Sequence, residues 1–308
     1  MRIGFNLPQI GPAASTRAIV QAAQKAEALG YDSVWVTERL LYPVSPQTPY
    51  PATPDGSLPE PYKIVYDPVE VLTFAAAHTH RIHLGTSVLD IPYYNPVMFA
   101  RRMTTLDVLS EGRLRLGLGL GWSKDEFEAV GASLGERGRR ADEFLRVLKA
   151  IWTTDPVEFH GDYYHVPRAF IGPKPVQRPH PPIYLAAYAP AAPKRAATLA
   201  NGWNPAGLSV EQMASMFSQM REMARAAGRD PSALELIVRA NLHITPLPIA
   251  GDRWIFAGSI EQIKADIDQV RALGASELFF DPTFSPDGAT VNGFLACMER
   301  LRGLVEGE

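Results

Sequence analysis

The chain has 308 residues, 46% of them hydrophobic and 20% charged, with a formal net charge of −3 and a sequence pI near 6.2. This balance excludes the strongly basic surface that holds nucleic acid and the acidic run of a solvating tail, so a small molecule is the expected partner, with no nucleic acid and no membrane. No run approaches the roughly 18 apolar residues of a membrane span. The opening MRIGFNLPQIG has no signal-peptide core, and the cytoplasm is the expected compartment. The lone Cys297, inside the apolar GFLACMERL, cannot pair within the chain and reads as a core thiol.

Strand and helix patterns alternate. An apolar run at 2–7 (RIGFNL) is followed by a helical pattern from Thr16 to Leu29 that stops at Gly30, then by the β-branched and aromatic DSVWVT of 32–37. The rhythm continues with a helix at 68–79, a strand at 82–88, a helix at 96–109 and a strand at 113–118. A helix at 141–153, a strand at 183–187, a helix at 192–200 and the short GWNP from Gly202 come next. A helix at 210–227, strand 234–243, helix 260–273, strand 277–281 and helix 290–304 complete the chain.

Strands separated by helices pair in parallel, because each crossover returns along the sheet. Eight such units in a chain of this length, with no dinucleotide fingerprint after the first strand, predict an α/β fold: a (β/α)8 TIM barrel forming one domain over 1–308. Barrel active sites are built from loops at the C-terminal ends of the strands. Two long insertions are expected at that face. The segment from Glu38 to Asp67 carries repeated prolines and Tyr42, Tyr50, Tyr62 and Tyr66 among them; the other runs from Glu158 to Pro182. His78, His80 and His83 lie at the helix-to-strand turn on the opposite end, where a surface role is expected rather than metal binding.

Other strand ends carry unusual sequence: LGTSVLDIPYYNP at 84–96, RLRLGLGLGWSKDEF at 113–127 and IYLAAYAP at 183–190. In GLGLG, alternate glycines on a strand leave one face bare, so that a flat ring or another backbone can approach. These strings, with GYDSVWVTER, EFHGDYYHV and WIFAGSIEQI, occur in an order and spacing by which the chain resembles the luciferase-like monooxygenase superfamily, within it the branch of oxidoreductases dependent on coenzyme F420. The resemblance runs from RIGFNL to the last helix. It implies a non-prolyl cis peptide between Ser87 and Val88, forming with Leu89 and Asp90 a bulge against the cofactor ring. It also implies cofactor contacts from Gly119, Gly121, Trp122 and Asp125, and a phosphate site at Ala186, Ala187, Tyr188 and Ala189, where Tyr188 stands in a position often held by glycine. Asn6, ending the first strand beside this site, is a further candidate to bind cofactor or substrate.

The chain departs from the sugar-phosphate dehydrogenases of that branch. Their Asp-His pair after the second strand is here Glu38 and Arg39, and their glutamate after GLGLG is here Trp122, so oxidation of glucose 6-phosphate is not expected. Glu38 and Arg39 are the catalytic candidates; a buried Glu38 would serve as acid or base, and the two could equally form a structural ion pair. The expected function is hydride transfer between coenzyme F420 and a small organic substrate. The alternative is an FMN-dependent monooxygenase, using reduced flavin, oxygen and a flavin reductase partner; a non-catalytic binding protein is the remote third. A homodimer through the helices at 68–79 and 96–109 is implied by the resemblance.

Overall fold

In a computed structural model, which describes residues 1–306, eight strands pair in parallel: β1 (Arg2–Asn6), β2 (Ser33–Val36), β3 (His83–Thr86), β4 (Leu114–Gly119), β5 (Ile183–Leu185), β6 (Gly202–Trp203), β7 (Glu235–Asn241) and β8 (Glu277–Asp281). They pair in chain order and β8 pairs back onto β1, closing the expected (β/α)8 barrel. Around it run α1 (Thr16–Ala28), α2 (Pro68–Ala76), α3 (Pro96–Leu109), α4 (Lys124–Ala129), α5 (Arg137–Thr153), α6 (Ala192–Leu199), α7 (Val210–Ala226), α8 (Ile260–Ala272) and α9 (Val291–Glu306). Several helices begin where short polar side chains satisfy free backbone N–H groups: Ser15 accepts from Ala18, Asp67 from Val69 and Glu70, and Asn95 from Val97 and Met98, with Pro68 and Pro96 next in line.

Three of the elements that were not expected bear on the mouth and its flank. The first is α4, short and polar. The second is an antiparallel hairpin, Val157–His160 with His165–Ala169, and the third a two-residue pairing of His243–Ile244 with Ala257–Gly258. The hairpin corrects the idea that the second insertion covers the mouth. Its turn is fastened to the flank of α5, where Glu143 accepts the N–H groups of Asp162, Tyr163 and Tyr164, and the chain beyond it is held at the far end of α3 by Asp107.

Alternation sends Ile3 and Phe5 outward under the helices, where Phe5 meets Tyr31 and Phe294 edge-on at 5.5 and 5.4 Å. Inside, Trp35 stacks on Phe279 at 4.5 Å and is fully buried with Tyr184 and Ile237. Gly4 and Gly85 make that plug possible, since a Cβ on Gly85 would stand 2.3 Å from the Trp35 ring. Beneath the plug, buried Glu277 accepts the Ser33 hydroxyl at 2.5 Å and the Trp35 indole N–H at 2.9 Å, and pairs with Arg2 and Arg115. The barrel is therefore sealed at its N-terminal end, and chemistry is confined to the other.

Among the described residues no helix is long and apolar enough to cross a membrane. Cys297 is buried, and desolvation pushes its thiol up to about 12, so it stays protonated and inert. On the outer face of α3, Met98 and Leu109 are 68% and 61% exposed.

Candidate active site

The top inward-facing layer of the barrel is polar. The Ser87–Val88 peptide bond is cis, as expected. The Ser87 hydroxyl donates to Asn204 Oδ1 at 2.7 Å, while its carbonyl accepts from the Thr37 hydroxyl at 3.1 Å and from Arg239 Nη1 at 3.0 Å. Arg239 pairs with Asp281, which accepts the Thr283 hydroxyl at 2.5 Å, and Thr283 Oγ1 in turn accepts Asn6 Nδ2 at 3.2 Å. A continuous polar floor thus joins the bulge to strands β1, β6, β7 and β8. Asn6 and Ser87 were expected there; Thr37, Asn204, Arg239, Asp281 and Thr283 were not. Single polar residues within LELIVRANLH and ELFFD were the available signal, but pairing them requires the register, which is level between Asn241 and Asp281.

The glycines make room for the bulge. A Cβ on Gly117 would lie 1.9 Å from the Thr86 carbonyl oxygen. One on Gly119 would lie 2.4 Å from Asp90 Oδ1 and 2.5 Å from Val88 Cγ2. Gly121 is past the strand, in the left-handed region at φ 68°, and its N–H donates to Asp90 Oδ1 at 2.8 Å. Leu89 is fully buried beneath the bulge.

Glu38 and Arg39 are not paired with each other. Ser33, Trp35 and Thr37 share the inner face, so Glu38 emerges on the outer one. There its carboxyl accepts the Asp90 N–H at 2.7 Å and the hydroxyl of Tyr94, whose ring packs on Phe99 of α3. Burial, reinforced by the nearby Asp90 charge, pushes the Glu38 carboxyl up to about 8. Desolvation raises Asp90 to about 7 against the opposing pull of Arg39. Arg39 faces the mouth, its guanidinium over Tyr62 at 5.3 Å and over Trp122 at 5.0 Å, with Nη1 on Glu126 at 2.8 Å.

The first insertion does cover this end. Tyr62 is 5% exposed and packs on Phe284 at 4.8 Å, and Tyr50 lies against Tyr62 and Trp122. Its return path is stitched to the loop after β1 by the Gly11 N–H on the Ile64 carbonyl and the Tyr66 N–H on the Gln9 carbonyl. Asp125, expected to contact a cofactor, accepts the Gln47 N–H of this roof at 3.0 Å.

A polar ring cofactor fits the floor of the site. At the floor, Asn6 Oδ1 and Arg239 Nε are buried without a partner, an acceptor and a donor left over from the polar network. At the rim, α6 begins after Ala191 with no side-chain cap, but the Ala189 carbonyl holds its first N–H and Pro193 has none, so this turn offers an anion few free N–H groups. Ala186 and Ala187 lead from the strand to that turn, with the Ala186 N–H on the Leu118 carbonyl; Ala189 accepts the Ala192 N–H. Tyr188 occupies its unusual position by bridging: its hydroxyl accepts the Ala206 N–H at 2.6 Å and donates to the Ala206 carbonyl at 3.1 Å.

A closed parallel barrel with a polar, roofed site at its C-terminal end defines the broad class of α/β-barrel proteins. Residues 3–250 match the family model of luciferase-like monooxygenases, and the chain belongs to that family. It is 34% identical over 244 residues, 78% of this chain and 84% of the other, to an uncharacterized protein of Mycobacterium tuberculosis. An F420-dependent glucose-6-phosphate dehydrogenase of Amycolatopsis mediterranei is 32% identical, covering 66% of this chain and 56% of its own. An FMNH2-dependent dimethylsulfone monooxygenase of Pseudomonas putida is 36% identical, covering 49% and 42%. Among solved structures, the monooxygenase RslO1 of Streptomyces bottropensis superposes with a TM-score of 0.81 at 23% identity, covering 99% of this chain and 98% of its own. An F420-dependent secondary alcohol dehydrogenase in complex with an F420-acetone adduct superposes at 0.76 and 19% identity, covering 97% of each. The family thus holds both F420-dependent and FMNH2-dependent members.

Proposed function

We propose that this protein is an F420-dependent oxidoreductase that transfers a hydride between the deazaflavin C5 and a small organic substrate at the barrel mouth. The observation that carries the reading is the pair of buried carboxyls on the bulge, Asp90 in front and Glu38 behind, joined by the Asp90 N–H on the Glu38 carboxyl at 2.7 Å, where burial raises both toward neutral pH. Every hydride added to a C=O, C=N or activated C=C bond must be matched by a proton, and a group poised near the working pH supplies it best. The broader overlap with the F420-dependent relative, 66% of the chain against 49% for the FMNH2-dependent one, supports the same choice.

When bound, the cofactor supplies the hydride at C5. Ser87 and Val88 of the bulge would support the ring, with Leu89 packed beneath them, and the small residues Ala186, Ala187 and Ala189 before α6 would leave room beside them for the phosphate. Arg39 cannot give up its proton near neutral pH; it orients the substrate and stabilises negative charge developing on its oxygen. Asp90 holds the proton, and Glu38 acts through it by fixing its amide. Trp122, Tyr50, Tyr62 and Phe284 exclude water from the reacting atoms.

The second reading, an FMN-dependent monooxygenase with a flavin reductase partner, is favoured by the FMNH2-dependent relative and the likeness to RslO1. An anaerobic screen decides between them: reduced F420 is mixed with a panel of ketones, enones and imines and its reoxidation is followed by absorbance. Turnover without oxygen is the expected result. Turnover only with reduced FMN and oxygen would replace the proposal with the second reading. Binding without any turnover would favour a non-catalytic cofactor carrier.

A further inference from the structure

The first half of the roof segment is tied to the barrel through one short helix. On α4, Glu126 is buried and accepts three donors from two other elements: Arg39 Nη1 at 2.8 Å, the Leu40 N–H at 2.8 Å and the Tyr93 hydroxyl at 3.0 Å. Its neighbours face the same segment. Asp125 accepts the Gln47 N–H at 3.0 Å, Glu128 accepts Gln47 Nε2 at 2.8 Å, and the Lys124 N–H donates to Thr48 Oγ1 at 3.2 Å. Between these ties and the stitches at Ile64 and Tyr66, the roof holds itself together locally, as in the Tyr50 N–H on the Gly56 carbonyl. Tyr62 is buried beneath it, against Phe284 and the Arg39 guanidinium.

We propose that α4 is the latch of the roof and that Glu126 is its positioning residue, coupling closure of the roof to the orientation of Arg39 at the mouth. The coupling follows from one carboxylate serving both tasks. One oxygen holds the roof backbone at Leu40, and the other holds the Arg39 guanidinium, which lies between Tyr62 of the roof and Trp122 of the barrel. When the roof lifts, Arg39 loses both its ion pair and its stacking partner Tyr62, so the cationic group is in place only when the site is covered. The inference goes beyond the cofactor assignment and is read without any cofactor, so its failure is separate from that of the proposed hydride transfer.

The test is limited trypsin digestion of the full-length apoprotein, scoring cleavage at Lys63–Ile64 and Arg39–Leu40, the bonds within and at the base of the roof. Iodide quenching is measured alongside in a Trp254→Phe background. Trp35, Trp152 and Trp203 are fully buried, so Trp122 alone reports there. Glu126→Ala should be cut in the roof at least tenfold faster than wild type, with the barrel core resistant and Trp122 more accessible to iodide. Glu126→Gln keeps an acceptor for Leu40 but turns an amide N–H toward Arg39; it should be cut at an intermediate rate and show raised Trp122 quenching. Wild-type cleavage and quenching in both variants would overturn the latch. If Glu126→Ala is cut throughout the chain, Glu126→Gln decides alone, and wild-type behaviour in it overturns the proposal.

Discussion

Glu38 and Asp90 stand on opposite sides of the same bulge, joined by the Asp90 N–H on the Glu38 carboxyl at 2.7 Å. The outward acid fixes the backbone of the inward one, and burial raises both. This arrangement differs from the two alternatives legible in the sequence: Glu38 neither enters the mouth nor pairs with Arg39.

The raised carboxyl has a pH signature. Glu38 ionises near the ordinary 4.5 of a glutamate in the unfolded chain and at about 8 in the folded one. The folded state therefore holds the extra proton, and this contribution to stability is complete below about pH 4.5 and is lost as pH rises through 8, by up to about 1.4 kcal/mol per pH unit in that window. Glu38→Gln is expected to flatten the fall. Urea unfolding of both proteins at pH 5, 7 and 8.5 checks it; parallel curves would show that Glu38 is ionised throughout.

Gly119→Ala is expected to destabilise by about 1–3 kcal/mol and to displace the bulge, because the new methyl would overlap the Asp90 carboxyl and Val88. Gly135, with open space around it, provides the control for the same substitution. Equal melting temperatures for the two variants would contradict the close packing.

Asp281→Ala leaves Arg239 in the floor without its counter-charge and is expected to cost about 3–5 kcal/mol, read by urea unfolding. A loss under about 1 kcal/mol, the range of an exposed pair, would mean that the floor is open to water.

The proposed homodimer is expected to use the face bearing Met98 and Leu109. Sedimentation equilibrium should give a dimer for wild type and a monomer for Met98→Glu; a wild-type monomer at every concentration would remove the dimer from the account.

The barrel was legible because each strand is an apolar or β-branched run and most helices open on a polar or proline signal such as Ser15, Asp67–Pro68 or Asn95–Pro96. The Lys124–Ala129 helix was not, since six polar-rich residues carry no apolar period; its acids make sense only once the roof lies over them. The hairpin after α5 was hidden for a related reason: its anchor is Glu143, a helix residue far along the chain. At the site, family resemblance located the Ser87–Val88 bulge, whereas the Arg239–Asp281 pair depends on which strands lie beside each other. Of the two groups the bare face of GLGLG could admit, a ring or another backbone, it is the Thr86 backbone that approaches Gly117.

The most direct test of the central claim is a parallel titration of the purified apoprotein with F420 and with FMN, followed by quenching of cofactor fluorescence. The hydride-transfer account requires F420 to bind at least about tenfold more tightly, a difference of about 1.4 kcal/mol. Tighter binding of FMN by the same margin would contradict it and make the oxygen-dependent monooxygenase the working description.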